Sequence, residues 1–253
     1  MNTQAIATLK LQIPAGKTHA FWLDEAKKVY DAKWHRDERL QEIYLQQSDI
    51  LSFLGAAVPL SPASHPWTTE LLSSVNEAIF SIEAPIKYHF SATRPNAMSR
   101  QINPVIQTPA HSSFPSGHAT ESFGLARVIS HLYFGGDTLD LRHIARRIAE
   151  NRTFAGVHFP VDNSAGAVLG DAVGAFFVSR LLGTPLPSAS TFAVTENGDN
   201  ELVYPALADI ADETSTTSAS TTSGDTTPAS SGADAVIAFY MREVMTEITG
   251  RES

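Results

Sequence analysis

Residues 164–183 read SAGAVLGDAVGAFFVSRLLG, a stretch of small and apolar residues that one acidic residue, Asp171, interrupts. Its composition and its flanking turn residues predict a helix from about Asp162 to Leu182. No stretch of the chain reaches the roughly 18 uninterrupted apolar residues that are typical of a membrane-spanning helix. We therefore expect this helix to be buried in the core of a soluble protein that has no membrane span.

Helical patterns also dominate the chain before this stretch. One helical pattern follows Thr68 or Thr69, either of which is a possible N-cap, and we expect Pro85 to interrupt it near its end. Little of the chain alternates with the two-residue period of a strand, so the predicted fold is all-α. The predicted helices cover residues 20–48 (as one or two helices), 68–90, 118–134, 138–151 and 162–182.

The composition divides the chain into three regions. Residues 1–184 carry 16 acidic and 16 basic side chains, whereas 185–253 carry 11 acidic and 2 basic ones, so the net charge of −9 lies entirely in the last quarter. Of the 18 residues in 214–231, 13 are Ser or Thr, which is too polar to form a core. We predict a helical domain over 1–184, a flexible low-complexity linker over 185–233 and an amphipathic helix over 234–253. The last helix is expected to pack on the domain or on a second copy in a homo-oligomer.

Several classes of function are disfavoured by the same composition. The chain has no cysteine, which excludes disulfides and cysteine-ligated metal sites. No basic stripe is present, so we expect no nucleic-acid partner. The N-terminus lacks the basic segment and apolar core of a secretory signal, and the localisation stays open.

Three clusters of basic and polar residues lie in the middle of the chain. They read KYHFSATRP from Lys87 to Pro95, PSGH from Pro115 to His118, and NRTFAGVHFPVD from Asn151 to Asp162.

The donors in these clusters suit a tetrahedral oxyanion. Arg94 and Arg152 offer forked N–H donors that match phosphate oxygens, and Lys87 adds a point charge. Ser116 and Gly117 lie just before a predicted helix start, where free backbone N–H groups and the helix dipole favour an anion. The clusters therefore predict one oxyanion-binding pocket.

Two histidines accompany these donors. His118 is placed at the mouth of the predicted pocket, where it can exchange a proton with a bound group. His158 and Asp162 are four residues apart, so they share a face if the chain is helical there. A carboxylate that holds one imidazole nitrogen leaves the other available as a nucleophile or a metal ligand.

The three clusters resemble the signature of the type 2 phosphatidic acid phosphatase (PAP2) and vanadium-dependent haloperoxidase superfamily. That signature runs Lys-x6-Arg-Pro, then Pro-Ser-Gly-His, then Ser-Arg-x5-His-x3-Asp. This chain departs from it at Asn151, where the family usually has serine, and the polar asparagine should weaken anion contacts only mildly. The resemblance covers residues 87–162 and implies a helical bundle with its active site at one end.

The resemblance implies a role for each residue. The oxyanion-binding residues would be Lys87, Arg94, Ser116, Gly117 and Arg152.

In family phosphatases the position of His158 attacks phosphorus, with Asp162 orienting it and His118 protonating the leaving group. In family haloperoxidases the pocket holds vanadate, with the position of His158 as the vanadium ligand, and hydrogen peroxide oxidises a halide there. A carboxylate that supports Arg152 is also expected, and Glu70, Glu77, Glu83 or another acid remains open for it.

Three functions therefore stay open. A vanadate-dependent haloperoxidase is favoured, because PSGHAT resembles the soluble haloperoxidase branch. His111 lies seven residues before His118, as a second histidine does in bromide-oxidising members, which favours bromide or iodide. The second function is a phosphatase that acts on phosphate monoesters without a cofactor, and the short chain supports it. The third is a non-catalytic oxyanion-binding protein.

Overall fold

A computed structural model describes residues 10–12, 19–185, 191–193 and 232–250. The helices are α1 (His19–Ala32), a 3-10 turn (Lys33–His35), α2 (Leu40–Leu45), α3 (Leu51–Gly55), α4 (Pro66–Phe90), α5 (Pro95–Met98), α6 (Gly117–Phe134), α7 (Leu139–Phe154), α8 (Pro160–Leu182) and α9 (Gly232–Thr249). The all-α prediction is confirmed, and the helices predicted over 118–134, 138–151 and 162–182 correspond to α6, α7 and α8.

One short pair of strands was not predicted. Strand β1 (Lys10–Gln12) pairs in parallel with strand β2 (Thr191–Ala193), and Leu11 lies opposite Phe192. Three residues are too few to show a two-residue alternation, so the sequence pattern does not indicate them. The predicted linker over 185–233 lies almost wholly outside the described residues, and β2 is one of its few described parts.

Helix α4 differs from its prediction at both ends. It begins earlier, with His65 at the N-cap and Pro66 in the first turn, so neither Thr68 nor Thr69 is the cap. It also runs through Pro85, which was expected to interrupt it. Pro85 lies on the exposed side of the helix, so its ring and missing amide disturb no packed contact. The continuation to Phe90 carries the end of α4 to the candidate site.

The site lies at one end of a bundle of the four longest helices in 66–182. Helices α4 and α7 end there, and α6 and α8 begin there. Three hydrogen bonds join these helix ends: Lys87 Nζ to the Pro115 carbonyl, Arg94 Nη1 to the Val157 carbonyl (2.8 Å), and Ser116 N to the Asp162 carbonyl (2.9 Å). Residues far apart in the sequence are thereby brought together.

Helices α6 and α8 pack against each other more closely than side chains would allow. A Cβ atom on Gly166 would collide with the carbonyl oxygen of Ser116, and one on Gly170 would collide with that of Thr120. The absence of side chains at these positions lets the two backbones touch. Because Ser116 is one of the contacts, the packing also fixes the start of α6.

Asp171, which interrupts the apolar stretch of α8, pairs with two arginines. Its carboxylate oxygens lie 2.6 Å from Arg127 Nη1 on α6 and 2.6 Å from Arg142 Nη1 on α7. Asp137 also contacts Arg142, at 2.9 Å. These ion pairs tie α6, α7 and α8 together away from the candidate site, and they explain a charge in the middle of an apolar helix.

Helix α8 is long and apolar enough, by length and composition, to cross a membrane. Its best 18-residue window has a mean hydropathy of 1.5, and half of that window is buried inside the protein. The buried half includes the contact with α6. The absence of a membrane span therefore stays a prediction.

Helix α9 packs back on the domain, which is one of the two arrangements expected for the C-terminal helix. Its Met241 and Val244 are buried in the main core. Its Glu247 accepts hydrogen bonds from the backbone N–H groups of Trp67 (2.8 Å) and Thr68 (2.9 Å), in the first turn of α4. The homo-oligomer stays a prediction.

Candidate oxyanion site

Lys87 reaches the site because it continues the buried stripe of α4. One face of α4 is buried at every fourth residue, at Ile79, Glu83 and Lys87. The first of these residues is apolar, whereas the next two are charged. The Lys87 ammonium donates to the Pro115 carbonyl and lies 3.9 Å from Glu83 Oε1. Burial lowers the pKa of Lys87, and the nearby Glu83 carboxylate acts against this shift.

Arg94 follows α4 and lies at the centre of the site. Its Nη1 donates to the Val157 carbonyl at 2.8 Å and lies 3.2 Å from His158 Nε2. Its Nε donates to the His111 carbonyl at 3.1 Å. A guanidinium has no acceptor lone pair, so His158 Nε2 must be the acceptor in the contact with Arg94.

His158 contacts Asp162, as predicted, although His158 precedes α8 and Asp162 reaches it from the first turn of that helix. Its Nδ1 lies 3.1 Å from Asp162 Oδ2, which also accepts from the Phe159 N–H (2.9 Å) and from the Ser113 hydroxyl. The two contacts of the ring assign the tautomer: Nδ1 carries the proton, and Nε2 carries the lone pair. This is the form of a histidine nucleophile or metal ligand.

The protonation of this pair follows from its surroundings. Burial and the charges of Arg94 and Lys87 keep the pKa of His158 well below its usual value, so the ring is neutral. Burial raises the pKa of Asp162 to about 7, although the hydrogen bonds from Ser113 and Phe159 oppose the shift. The carboxylate form that orients His158 is therefore populated at neutral and higher pH.

Arg152 supplies donors that no group in the described residues uses. It is 1% exposed, and only its Nη2 has hydrogen-bond acceptors, Gln46 Oε1 at 3.1 Å and the Ile43 carbonyl at 3.4 Å. Its Nε and Nη1 have no hydrogen-bond partner among the described residues. Burial lowers its pKa to about 10, so it stays charged at neutral pH. A buried guanidinium with two unpartnered nitrogen donors is an incomplete site that an anion would complete.

Ser116 and Gly117 form the start of α6. The Ser116 hydroxyl is buried and has no hydrogen-bond partner within the part of the chain that the structure describes. Gly117 opens the helix, where the first N–H groups have no intrahelical acceptor. Both residues therefore offer donors to a ligand, as the sequence predicts.

His118 lies beside this helix start. Its Nε2 donates to the Gln46 carbonyl at 2.8 Å, which leaves Nδ1 with the lone pair. Burial lowers the pKa of His118 to about 3, and the Arg152 charge acts in the same direction. The ring is neutral at pH 7 and is therefore a proton acceptor until a bound anion raises its pKa.

His111 is exposed at the edge of the site, next to Arg94. Its Nδ1 lies 3.3 Å from Arg94 Nη2. Burial of part of the ring and the charges of Lys87 and Arg94 lower its pKa. The structure thus places the sequence-predicted halide candidate beside the oxyanion-binding residues, as a neutral ring.

Sequence reasoning missed Gln46, which connects several of these groups. Its Oε1 accepts from Arg152 and from Asn151 Nδ2 (2.9 Å), and its carbonyl accepts from His118. Asn151 also contacts Glu42 and Arg39, so its side chain is used in fixing α2 to α7. The only sequence signal for Gln46 is a polar residue at the end of a short helix, which is too common to be noticed.

Glu83 was one of the acids considered for Arg152, but its neighbour is Lys87. The acid whose charge raises the pKa of Arg152 is Glu121, and neither Glu70 nor Glu77 is a hydrogen-bond or ion-pair partner of Arg152 among the described residues. The sequence signal for Glu83 as a buried partner of Lys87 is its position on α4, four residues after the apolar Ile79 and four before Lys87.

The arrangement brings all the predicted binding residues together around one place. The site is surrounded by three cations, one hydroxyl, one helix start and two neutral imidazoles. The carboxylates near it, among the described residues, are Glu83, Glu121 and Asp162. The unused donors of Arg152 and Ser116 fit a tetrahedral or trigonal-bipyramidal oxyanion. The roles assigned to these residues stay predictions.

Comparisons with known proteins agree with this fold. Residues 68–182 match a family model described as PAP2 superfamily, and this range contains the three sequence clusters and α4 to α8 almost entirely. A comparison with curated proteins gives no match.

Two solved structures resemble the chain. One is described as the first transmembrane PAP2 type phosphatidylglycerolphosphate phosphatase from Bacillus subtilis, with 20% identity, a TM-score of 0.48, and coverage of 64% of this chain and 86% of that one. The other is described as the first bacterial vanadium-dependent iodoperoxidase, with 18% identity, a TM-score of 0.50, and coverage of 66% of this chain and 51% of that one. The second match supports the fold and spans about half of the iodoperoxidase.

Proposed function

Because residues 68–182 belong to the PAP2 superfamily, we propose that this pocket hydrolyses phosphate monoesters through a covalent intermediate on His158. The observation that supports the proposal is the coincidence of two features at one place. Arg152 and Ser116 have unused donors, and His158 presents its Nε2 lone pair beside Arg94. An oxyanion bound by these donors lies next to a nucleophile.

The first step transfers the phosphoryl group. The Nε2 lone pair of His158 forms a bond to phosphorus as the bond to the ester oxygen breaks. Asp162 stabilises the positive charge that develops on the ring through the Nδ1–H contact. The cations of Lys87, Arg94 and Arg152 stabilise the charge on the phosphoryl oxygens in the transition state.

His118 handles the proton in both steps. The charge of the bound phosphate raises its pKa, so the ring takes up a proton on Nδ1 and donates it to the leaving oxygen, which departs as an alcohol. In the second step His118 accepts a proton from water, whose oxygen attacks phosphorus and breaks the bond to His158. Inorganic phosphate is released, His118 returns the proton it took from water to the phosphate or to solvent, and both histidines are again neutral.

Hydrolysis is favoured over the haloperoxidase that the sequence indicates because two cations of the pocket also line a wide cleft. The cleft has a volume of about 750 Å³ and includes Lys87 and Arg94 in its wall. A phosphate ester needs such a space for its organic group, whereas peroxide and a halide do not.

A vanadate-dependent haloperoxidase is the second candidate, and His111 favours it. The unused donors of Arg152 and Ser116 fit vanadate as well as phosphate, and His158 would be its ligand. Bound vanadate would supply the activation of hydrogen peroxide for halide oxidation. The neutral His118 ring suits deprotonation of peroxide, and His111 lies 3.3 Å from Arg94 at the edge of the site.

Parallel assays separate the two functions. The protein is assayed for hydrolysis of para-nitrophenyl phosphate, with and without vanadate, and for bromination of a phenol with vanadate, peroxide and bromide. Hydrolysis that vanadate inhibits, without bromination, supports the phosphatase. Bromination without hydrolysis overturns it in favour of the haloperoxidase. Oxyanion binding with neither activity would leave the non-catalytic binding protein.

Variants then test the residues. His158→Ala is expected to lose either activity while phosphate still binds, because the bond-forming atom is removed and the cations remain. His111→Ala is expected to alter bromide oxidation and to leave hydrolysis nearly unchanged. An active His158→Ala variant would contradict the covalent mechanism.

A further inference from the structure

A cleft lies beside the oxyanion pocket and is too large for an oxyanion alone. Its volume of about 750 Å³ is within the range of about 300–1,000 Å³ that is typical of small-molecule sites. It is formed by the second half of α4, the segment that follows it, and residues 108–112. A phosphate group would occupy only a small part of this space.

The cleft and the pocket share Lys87 and Arg94. A ligand whose phosphate contacts both cations therefore has its other substituent next to the cleft. The shared wall makes the cleft the extension of the oxyanion site and not a separate depression.

One part of the cleft wall is suited to an apolar group, whereas polar residues, among them Asn96 and Thr108, line the rest. Phe80 and Tyr88 lie two turns apart on α4, line the cleft and are exposed, with 56% and 86% of their surface accessible. The other small or apolar lining residues are Ala84, Ala92, Ala97, Pro109 and Ala110. Two exposed aromatic rings beside a cleft are available to cover a ligand.

Glu83 adds an acidic group to the lining, close to the cationic end of the cleft. It is 2% exposed, lines the cleft, and its Oε2 has no hydrogen-bond partner among the described residues. Its Oε1 lies 3.9 Å from Lys87 Nζ, and a Cβ atom on Gly117 would come within 2.7 Å of it. An unused buried acceptor at this place fits a ligand that brings a donor.

We propose that this cleft binds the organic group of the substrate, which has an apolar chain or ring and carries a hydroxyl or ammonium donor near the phosphate for Glu83 Oε2. The inference rests on the proposed function, because it takes the oxyanion in the pocket to be the phosphate of an ester. Lys87 and Arg94 hold the phosphate, Phe80 and Tyr88 cover the apolar part, and Glu83 selects the donor.

Binding of phosphonates tests the cleft without requiring turnover. Calorimetry compares methylphosphonate with hexylphosphonate on the intact protein. Each buried methylene is expected to strengthen binding by up to about fourfold. Phe80→Ala and Tyr88→Ala are expected to remove much of this gain and to leave methylphosphonate binding unchanged. Phe134→Ala is the matched control, since its ring is also exposed but lies at the far end of α6.

A second pair of ligands tests Glu83. At pH 8, 2-aminoethylphosphonate is compared with propylphosphonate, which has a methyl group in place of the ammonium. The amine is expected to bind about tenfold more tightly, as for a hydrogen bond between charged groups. Glu83→Gln is expected to remove the preference. Burial raises the pKa of Glu83 to about 7, so the carboxyl is mostly ionised at pH 8.

The outcomes distinguish this inference from the proposed function. Equal affinity for methyl- and hexylphosphonate would overturn the apolar part of the inference, and no preference for the amine in the wild-type protein would overturn the role of Glu83. The wild-type comparison decides this even if Glu83→Gln fails to fold. Chain-length-dependent binding without hydrolysis of any phosphate ester would support the cleft and contradict the phosphatase.

Discussion

Gln46 joins two sides of the oxyanion site, although it belongs to none of the three sequence clusters. Its side-chain oxygen holds Arg152 and Asn151, and its backbone carbonyl holds His118. It thereby fixes the donor direction of Arg152 and the tautomer of His118. We infer that it is a positioning residue, because it acts through these two groups.

Gln46→Leu is expected to weaken phosphate binding by tenfold or more and to lower the free energy of unfolding by about 1–3 kcal/mol, since the buried Arg152 Nη2 loses its side-chain acceptor. Calorimetry with inorganic phosphate and denaturant unfolding measure the two effects. The control is Gln47→Leu, because Gln47 is exposed and its side chain hydrogen-bonds, among the described residues, only to the Tyr44 carbonyl. Unchanged phosphate affinity in a destabilised Gln46→Leu variant would make the role purely structural.

The lowered pKa of His118 predicts that the stability of the protein depends on pH. The pKa of His118 is about 3 in the folded protein, below its ordinary value of 6.5, so the unfolded chain binds more protons between these values. The contribution of His118 to stability is therefore present above pH 6.5 and is lost as the pH falls towards 3. His118→Gln should show a shallower loss of stability over this window in denaturant unfolding at several pH values. His35→Gln, at an exposed position, is the control, and an identical slope in His118→Gln would contradict the prediction.

At the scale of elements, the contact between α6 and α8 sets the geometry of the site. Backbone contacts at Gly166 and Gly170 bring the start of α8 against the start of α6. The hydrogen bond from Ser116 N to the Asp162 carbonyl then connects the turn proposed to bind the oxyanion to the residue that contacts His158 Nδ1. The distance between His158, the proposed nucleophile, and the donors of Ser116 therefore depends on helix packing outside the signature.

Gly170→Ala is expected to destabilise the protein by about 1–3 kcal/mol, because its Cβ would collide with the Thr120 carbonyl and lie 3.0 Å from Gly124 N. Denaturant unfolding measures the change. Gly136→Ala is the matched control, since a Cβ there has no neighbour within 4 Å. If Gly170→Ala lowers the free energy of unfolding no more than Gly136→Ala does, α6 and α8 can move apart without cost and the prediction is wrong.

At the scale of the whole molecule, the C-terminal helix completes the domain. Glu247 of α9 satisfies N–H groups in the first turn of α4, where the helix has no side-chain cap of its own. The negative charge also lies at the positive end of the helix dipole. A helix beyond the matched family region thus supports the helix that carries Lys87.

Glu247→Ala is expected to lower the free energy of unfolding by about 1–2 kcal/mol, as for the loss of a helix cap. KM for para-nitrophenyl phosphate should be unchanged, because α4 is altered at the end remote from Lys87. Thermal unfolding and steady-state kinetics measure the two quantities. Glu243→Ala is the control, since Glu243 pairs only with the exposed Arg242 among described residues. Equal stability of the two variants would mean that α9 contributes little to α4.

The sequence alone determined the helical fold, the three clusters and the pairing of His158 with Asp162, because each depends on local spacing. Helix periodicity is a property of neighbouring residues, and a residue in the first turn of a helix lies close to the residues just before that helix. The residues from Lys87 to Asp162 were therefore identified without coordinates.

Only the tertiary structure decided which groups complete the site. Gln46, Glu83 and the cleft depend on contacts between segments separated by tens of residues, and no local pattern encodes such contacts. Packing also overrode local preference where α4 continues through Pro85. The physical reason is that the spacing of residues along the chain determines on which face of a helix a side chain lies. The packing between helices determines which residues that face contacts.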